Sequence, residues 1–167
     1  MKKLLFILIL LVLTACVRVD KVGTHPIDKQ PPNFFNMSVM ENVIWEESPI
    51  FKFEHLTLRG VEGNVAILAT PWKANTSNKY MVHLFGEEPP SGKLSIIAVK
   101  KDTNETAQAF YGTDSKTQSW SLGSVPTSVV NGRVDMPASM KLPSKGLWAL
   151  NIYVGENLFG QIIVNVK

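Results

Sequence analysis

Between residues 147 and 166 the apolar side chains keep a two-residue period, and a chain that does this buries them as strands of a sheet. Trp148, Leu150, Ile152 and Val154 alternate with Leu147, Ala149, Asn151 and Tyr153. A turn follows at Gly155, Glu156 and Asn157, after which Ile162, Val164 and Val166 alternate with Gln161, Ile163 and Asn165. Successive side chains of a strand point to opposite faces, so the pattern predicts a hairpin with one face buried. Just upstream, Pro143, Ser144, Lys145 and Gly146 predict a tight turn after Met140, Lys141 and Leu142.

The rest of the chain follows the same rhythm. Short apolar runs at 51–53, 55–59, 64–69, 79–85, 93–100, 129–134 and 139–142 stand between Gly, Pro, Asn and Ser residues. No window has the period of an amphipathic helix, and proline or glycine arrives too often for one to run long. The expectation is an all-β chain. A strand, a Pro–Gly turn, a Trp-bearing strand and a closing strand are the order of the last three strands of an immunoglobulin-like sandwich, so the fold class is read as an immunoglobulin-like antiparallel β-sandwich over residues 34–167. Trp148 is then a core residue and not a platform for a ligand.

What holds such a domain together is limited by its cysteines. Cys16 is the single cysteine, and it lies at the end of a greasy N-terminal segment. Lys2 and Lys3 supply the charged start of an export signal, the apolar stretch runs from Leu4 to Leu13, and small residues follow. A membrane-crossing helix needs roughly 20 apolar residues, and this run is too short. Leu13, Thr14, Ala15 and Cys16 resemble the lipobox of bacterial lipoproteins, in which the thiol is joined to diacylglycerol and a dedicated peptidase then cuts before the cysteine. That resemblance implies a signal peptide over 1–15, a lipidated Cys16 and attachment to the cell membrane on its extracytoplasmic face. Each acyl methylene buried in a bilayer contributes about 0.8 kcal/mol, so two or three chains, from diacylglycerol and an added acyl group such as palmitate, give stable anchoring.

With Cys16 committed to lipid, the mature domain has no thiol for disulfides, zinc, iron–sulfur clusters or catalysis. About 150 residues remain, enough for one domain with a sizeable core. From 17 to 33 the chain carries Gly23, His25, Pro26, Pro31 and Pro32 among mixed charges, without an apolar period, and reads as a flexible tether. Seventeen flexible residues span about 20–25 Å on average, which lets the domain stand clear of the headgroups. The formal charge falls from +3 to +1 when Lys2 and Lys3 are removed. A nearly neutral mature chain is a poor nucleic-acid binder.

Residues 79–86, 92–99, 136–143 and 146–166 resemble a family of Bacillus-type lipoproteins whose domain has no assigned function, over roughly residues 51–167. The resemblance implies an envelope address and a sandwich fold, and supplies no catalytic residues.

Catalytic motifs are sparse. The histidines are His25 in the tether, His55 and His83, and the chain has neither a Gly-x-Ser-x-Gly elbow nor a His-Glu-x-x-His pair. A Ser/His/Asp set could be assembled in space from His83, Asp135 and a serine, as in any serine-bearing chain. The adjacent carboxylates Glu46–Glu47 and Glu87–Glu88 point to opposite faces if in strands and read as solvated charges. No enzyme activity, cofactor or metal site is expected. The alternative is copper handling: His83 shares a strand face with Met81 and Phe85, Met136 and Met140 flank a Pro-Ala-Ser turn, Met37 and Met40 lie ahead of the first apolar run, and thioethers with imidazole suit Cu(I). Methionine is also a common core filler, which weighs against it.

A binding or interaction module of the envelope remains as the main reading. Trp45, Trp72 and Trp120 could anchor a peptide or stack on a sugar ring. The stretch 101–131 is unusually long for a loop in a compact sandwich, carries Tyr111 and Trp120, and such loops are often functional. The expected recognition surface combines Tyr111 and Trp120 with the strand bearing His83 as its floor, and its partner would be a protein, a peptide or a cell-wall glycan.

Overall fold

The computed structural model describes residues 30–88, 90–112 and 117–167. The signal segment, Cys16 and the tether up to residue 29 lie outside the described residues. In chain order the strands are β1 (Ile50–Phe53), β2 (Leu56–Val61), β3 (Val65–Leu68), β4 (Asn78–Phe85), β5 (Lys93–Lys100) and β6 (Thr106–Gln108). They continue as β7 (Phe110–Tyr111), β8 (Gln118–Ser119), β9 (Ser121–Ser124), β10 (Arg133–Met140), β11 (Gly146–Val154) and β12 (Asn157–Val166). One 3-10 turn, Met37–Met40, is the sole helical element among the described residues.

Two antiparallel sheets result. One has the order β1-β2-β3-β4-β10-β7-β8, and the other β12-β11-β5-β6 with β9 also pairing with β5. The β10, β11 and β12 sequence behaves as the immunoglobulin-like reading predicts: β10 lies in the first sheet, while β11 and β12 form the closing hairpin of the second, with Trp148 opposite Val164 and Leu150 opposite Ile162. Between the sheets, Ile67, Val82, Leu84, Ile96, Leu150, Ile152 and Ile162 form the main core with Trp148, which is fully buried. The Trp148 indole Nε1 donates to Ser144 O at 2.9 Å, so its polar atom is satisfied within the turn that precedes its strand.

The hairpin differs from expectation in having both faces buried. Ile97 and Val99 of β5, Ala149 and Tyr153 of β11 and Ile163 of β12 form a second apolar layer on the outer side of the five-stranded sheet. Residues 34–45 cover it: Phe34 and Phe35 meet the Tyr153 ring at 5.2 and 6.4 Å, and Met40, Val43 and Trp45 pack beside them. Asn151 is fully buried in this layer, yet its polar atoms are used. It donates to Ile97 O at 2.9 Å and accepts from Gln161 Nε2 at 2.7 Å, and Gln161 also donates to Val39 O at 3.1 Å. The strap is thereby fastened to the hairpin by the two polar positions that interrupt the apolar pattern.

The stretch 101–131 also departs from the loop reading, because it contains β6, β7, β8 and β9. The chain leaves the five-stranded sheet after β6, enters the seven-stranded sheet at β7 and β8, and returns at β9. Its two crossings, at Ala109 and Trp120, close that side of the sandwich. The two runs read at 129–134 and 139–142 are largely joined in one strand, since Asp135, Met136, Pro137 and Ala138 continue the ladder with β4.

Candidate functional site

His83 sits on the outer face of β4, alternating with Val82 and Leu84, which enter the core. It is nevertheless only 1% exposed. The cover comes from the turn between β1 and β2. Although β1 lies three places from β4 in the sheet, the Phe53 ring meets Phe85 edge-on at 5.1 Å. The Arg133 guanidinium lies 4.9 Å over Phe53 and 3.3 Å from the Glu54 carboxylate, which also accepts from Asn131 at 2.9 Å. Glu54 itself adopts φ 52°, the left-handed conformation of a tight turn. The hairpin therefore curls over the outer face and is clasped there.

Beneath it, the register places Asp135 directly opposite His83. Asp135 Oδ1 is 2.7 Å from His83 Nδ1, and Arg133 Nε donates to both Asp135 oxygens at 2.9 and 3.2 Å. Burial pushes the imidazole pKa below its ordinary value and the Arg133 charge adds to this, while the hydrogen bond and charge of Asp135 act in the opposite direction. In the neutral form Nδ1–H donates to Asp135, which leaves Nε2 as an acceptor. That atom is buried and has no hydrogen-bond partner among the described residues.

A carboxylate-oriented imidazole can serve as a general base or as a metal ligand. Here two of the three members of the Ser/His/Asp set come together, but no hydroxyl among the described residues is bonded to Nε2. The copper set is not assembled either. Met136 and Met140 belong to the main core on the opposite face of the sheet, leaving only Met81 on the His83 side. No cluster of three or more His, Cys, Asp or Glu side chains suited to a metal ion occurs among the described residues.

The three residues expected to share a recognition surface are separated. Trp120 falls at a crossing between sheets, and its ring is 7% exposed, packed with Ile97 and Val99 on the outer side of the five-stranded sheet. That is the opposite exterior of the sandwich from His83. Trp72 is also buried, stacked on Tyr80 at 4.3 Å, and Trp45 is half-buried within the strap. The mostly buried Trp120 lines a small depression with Gln118 and Pro143, whereas Tyr111 borders a separate, larger open depression, with Lys141 Nζ 4.2 Å from its ring centroid.

That depression, 380 Å³ in volume, lies where β7 splays away from β10. Tyr80, Leu122 and Ala138 give it apolar walls, and Lys79 and Tyr111 stand at its rim. The ladder between β10 and β7 consists of one pair, Met140 with Phe110. Sequence reasoning named Tyr111 but missed Lys79, Lys141 and the strand edge beside them. The available signal was Pro137, since a proline within a strand marks an edge.

A family model, "Domain of unknown function (DUF4871)", matches residues 34–164. The fold is similar to the crystal structure of a candidate lipoprotein from Bacillus anthracis, with 34% sequence identity and a TM-score of 0.76, covering 83% of this chain and 97% of that one. Among curated proteins, none matches the chain in sequence. The strap that begins at Phe34 and the sandwich it covers together make up the matched region, and the chain belongs to the DUF4871 family of Bacillus-type lipoproteins.

Proposed function

We propose that the chain is a lipoprotein held on the extracytoplasmic face of the cell membrane through diacylglycerol on Cys16, and that its sandwich is a non-catalytic module that binds a protein, peptide or cell-wall glycan of the envelope. The address is supported by the lipobox-like run ending at Cys16 and by kinship with the Bacillus anthracis candidate lipoprotein. The binding role is supported by the contrast between two polar assemblies. His83, the residue suited to proton chemistry, is sealed beneath the β1–β2 turn at 1% exposed, and only its partner carboxylate, Asp135, reaches solvent. Tyr111 and Lys79 instead border an open depression on a rigid scaffold. Turnover requires a reactive atom within reach of a substrate, whereas recognition requires accessible aromatic and charged groups.

A photo-crosslinking residue placed at Tyr111 in intact cells tests this, with the same residue at the exposed turn position Glu62 as control. The expected result is one defined envelope component captured from position 111 and absent from position 62. Identical capture from both positions, or none from either, would contradict the binding role. Stoichiometric Cu(I) binding by the full chain that disappears in His83→Gln would replace this reading with the metal-handling one.

A further inference from the structure

We propose that the lysine-bearing end of the sandwich binds an anionic envelope polymer that carries repeated phosphate groups, and that the depression lined by residues 70–80 receives one of them. This rests on the reading of the sandwich as an interaction module and names the chemistry by which a cell-wall glycan would be recognised.

Topology gathers the charges. β4 begins beside the end of β10, with Lys79 opposite Ser139 and Lys141 one residue past the strand. The loop carrying Lys73 is tied to that end, because Asn75 N donates to Leu142 O at 2.9 Å. Lys145 lies in the β10–β11 turn, Lys100 Nζ donates to Ser144 Oγ in the same turn at 2.9 Å, and Lys101 N donates to Leu147 O at the start of β11. Against these six lysines the same end carries Asp102 and Glu105 among the described residues, and none of the six forms an ion pair there. The opposite end reverses the sign. Phe85 N donates to Asn64 O and Gly155 N to Lys93 O, which brings together the turns after β2, β4 and β11 with Glu62, Glu87, Glu88 and Glu156. Lys93 is the free cation beside them, since Arg133 is already paired with Glu54 and Asp135. The small net charge therefore hides two opposed local fields.

Side chains at the lysine end specify the ligand. Thr70, Lys73, Thr76, Ser77 and Asn78 line a depression of 400 Å³, together with Tyr80, which is buried and stacked on Trp72. The loop that forms it is pinned to the second sheet as well: Ala74 N donates to Lys167 O at 3.0 Å, and Lys167 N to Trp72 O at 3.1 Å. Asn78 Oδ1 accepts from Lys79 N at 2.9 Å, which leaves the Asn78 amide hydrogens to donate outward. The Thr70 and Ser77 hydroxyls and the Lys73 ammonium have no partner among the described residues, and no carboxylate lines the depression. Donors with no competing anion suit the oxygens of a phosphate, which point in several directions where those of a carboxylate share a plane. The remaining lysines lie beyond the reach of that one group. A chain of phosphates engages several of them at once and gains by effective concentration. The described chain enters the sandwich at the other end, where Phe34 and Phe35 meet Tyr153, about 20 Å away along β11. That separation favours a polymer over the headgroups of the anchoring membrane.

The test uses the full chain reconstituted in phosphatidylcholine vesicles and fluorescein-labelled linear inorganic polyphosphate followed by cosedimentation. Polyphosphate is expected to bind, with polyglutamate of matched length competing at least about fivefold more weakly and orthophosphate at least about a hundredfold more weakly per phosphate. Lys73→Glu with Lys145→Glu, both exposed, should weaken polyphosphate by about tenfold or more. Lys52→Glu with Lys93→Glu, the same change of net charge away from this end, should leave it within about threefold. Ser77→Ala with Asn78→Ala should narrow the margin over polyglutamate to about twofold or less. Failure of polyphosphate to bind, equal loss from the two lysine pairs, or polyglutamate competing as well as polyphosphate would overturn the proposal. Displacement of polyphosphate by separately added phosphatidylglycerol vesicles at equal phosphate concentration would overturn it in favour of lipid headgroups. A component captured at Tyr111 alongside any of those results would keep the interaction module and remove only this class of partner.

Discussion

His83 shows how one residue can be poised chemically and used structurally. Its imidazole is held below the ordinary histidine value of 6.5 by burial, with Asp135 resisting. As pH falls the unfolded chain takes up the proton first, so this contribution to stability is complete above about pH 6.5 and is lost as pH drops through the lower folded value. Thermal denaturation across this range should show the melting temperature falling with acidification, and His83→Gln should flatten that slope; an unchanged slope in the variant would refute the assignment. Trp148 was legible in the sequence as core because it heads an alternating run, and it is fully buried. Trp148→Ala should cost about 3–5 kcal/mol in urea unfolding, and Trp148→Phe less, with about 1 kcal/mol of its loss from the hydrogen bond to Ser144. Trp120 was not legible in the same way. Its neighbours Gln118, Ser119 and Ser121 are polar, and only the crossing between sheets places the ring against Ile97 and Val99. Gly60 is a further position that sequence alone does not flag: at φ 149° a Cβ would overlap the Val65 carbonyl oxygen. Gly60→Ala should therefore destabilise the protein although it adds only one methyl group, as a lowered urea midpoint would show.

Among the elements, legibility follows strand length. β5 was read with its observed limits, 93–100, and β11 and β12 within one residue, because eight or more residues give the two-residue period room to appear. β6, β7, β8 and β9 are two to four residues long and polar enough to resemble a loop. Their pairing is dictated by the edges of β5 and β10 and not by their own residues, so no local signal announces them. In the sequence β10 appears split because Asp135 and Pro137 break its apolar pattern, and both breaks have a cause: Asp135 serves the His83 clasp, and Pro137 stands where the backbone nitrogen faces away from β4, so no bond to β4 is lost. The strap at 34–45 was assigned to the domain without a role. Its apolar residues cover a face that would otherwise expose Ile97, Tyr153 and Ile163. Met40→Ala should lower stability by about 2–5 kcal/mol. Combined Phe34→Ala and Phe35→Ala should increase binding of a hydrophobic dye to the folded protein, and a dye response equal to wild type would show that the strap is not what seals this face.

For the whole molecule, the proposed reading divides location and recognition between different parts of the chain. In it the N-terminal segment ending at Cys16 would supply the address, the proline-bearing stretch after it the reach, and the thiol-free sandwich the surface. Such a domain has to be stable through packing alone, and its two apolar layers, one between the sheets and one beneath the strap, meet that requirement. On this reading the small net charge left after loss of Lys2 and Lys3 gives electrostatics little part in membrane attachment, and anchoring is proposed to depend on lipid. Fractionation of cells producing wild type or Cys16→Ser, with intact-mass measurement of each product, tests this most directly. The account predicts that wild type is found in the membrane fraction as a chain beginning at residue 16 and carrying diacylglycerol, while Cys16→Ser is neither lipidated nor cut at that bond. A Cys16→Ser protein that remains membrane-bound and is processed like wild type would contradict it.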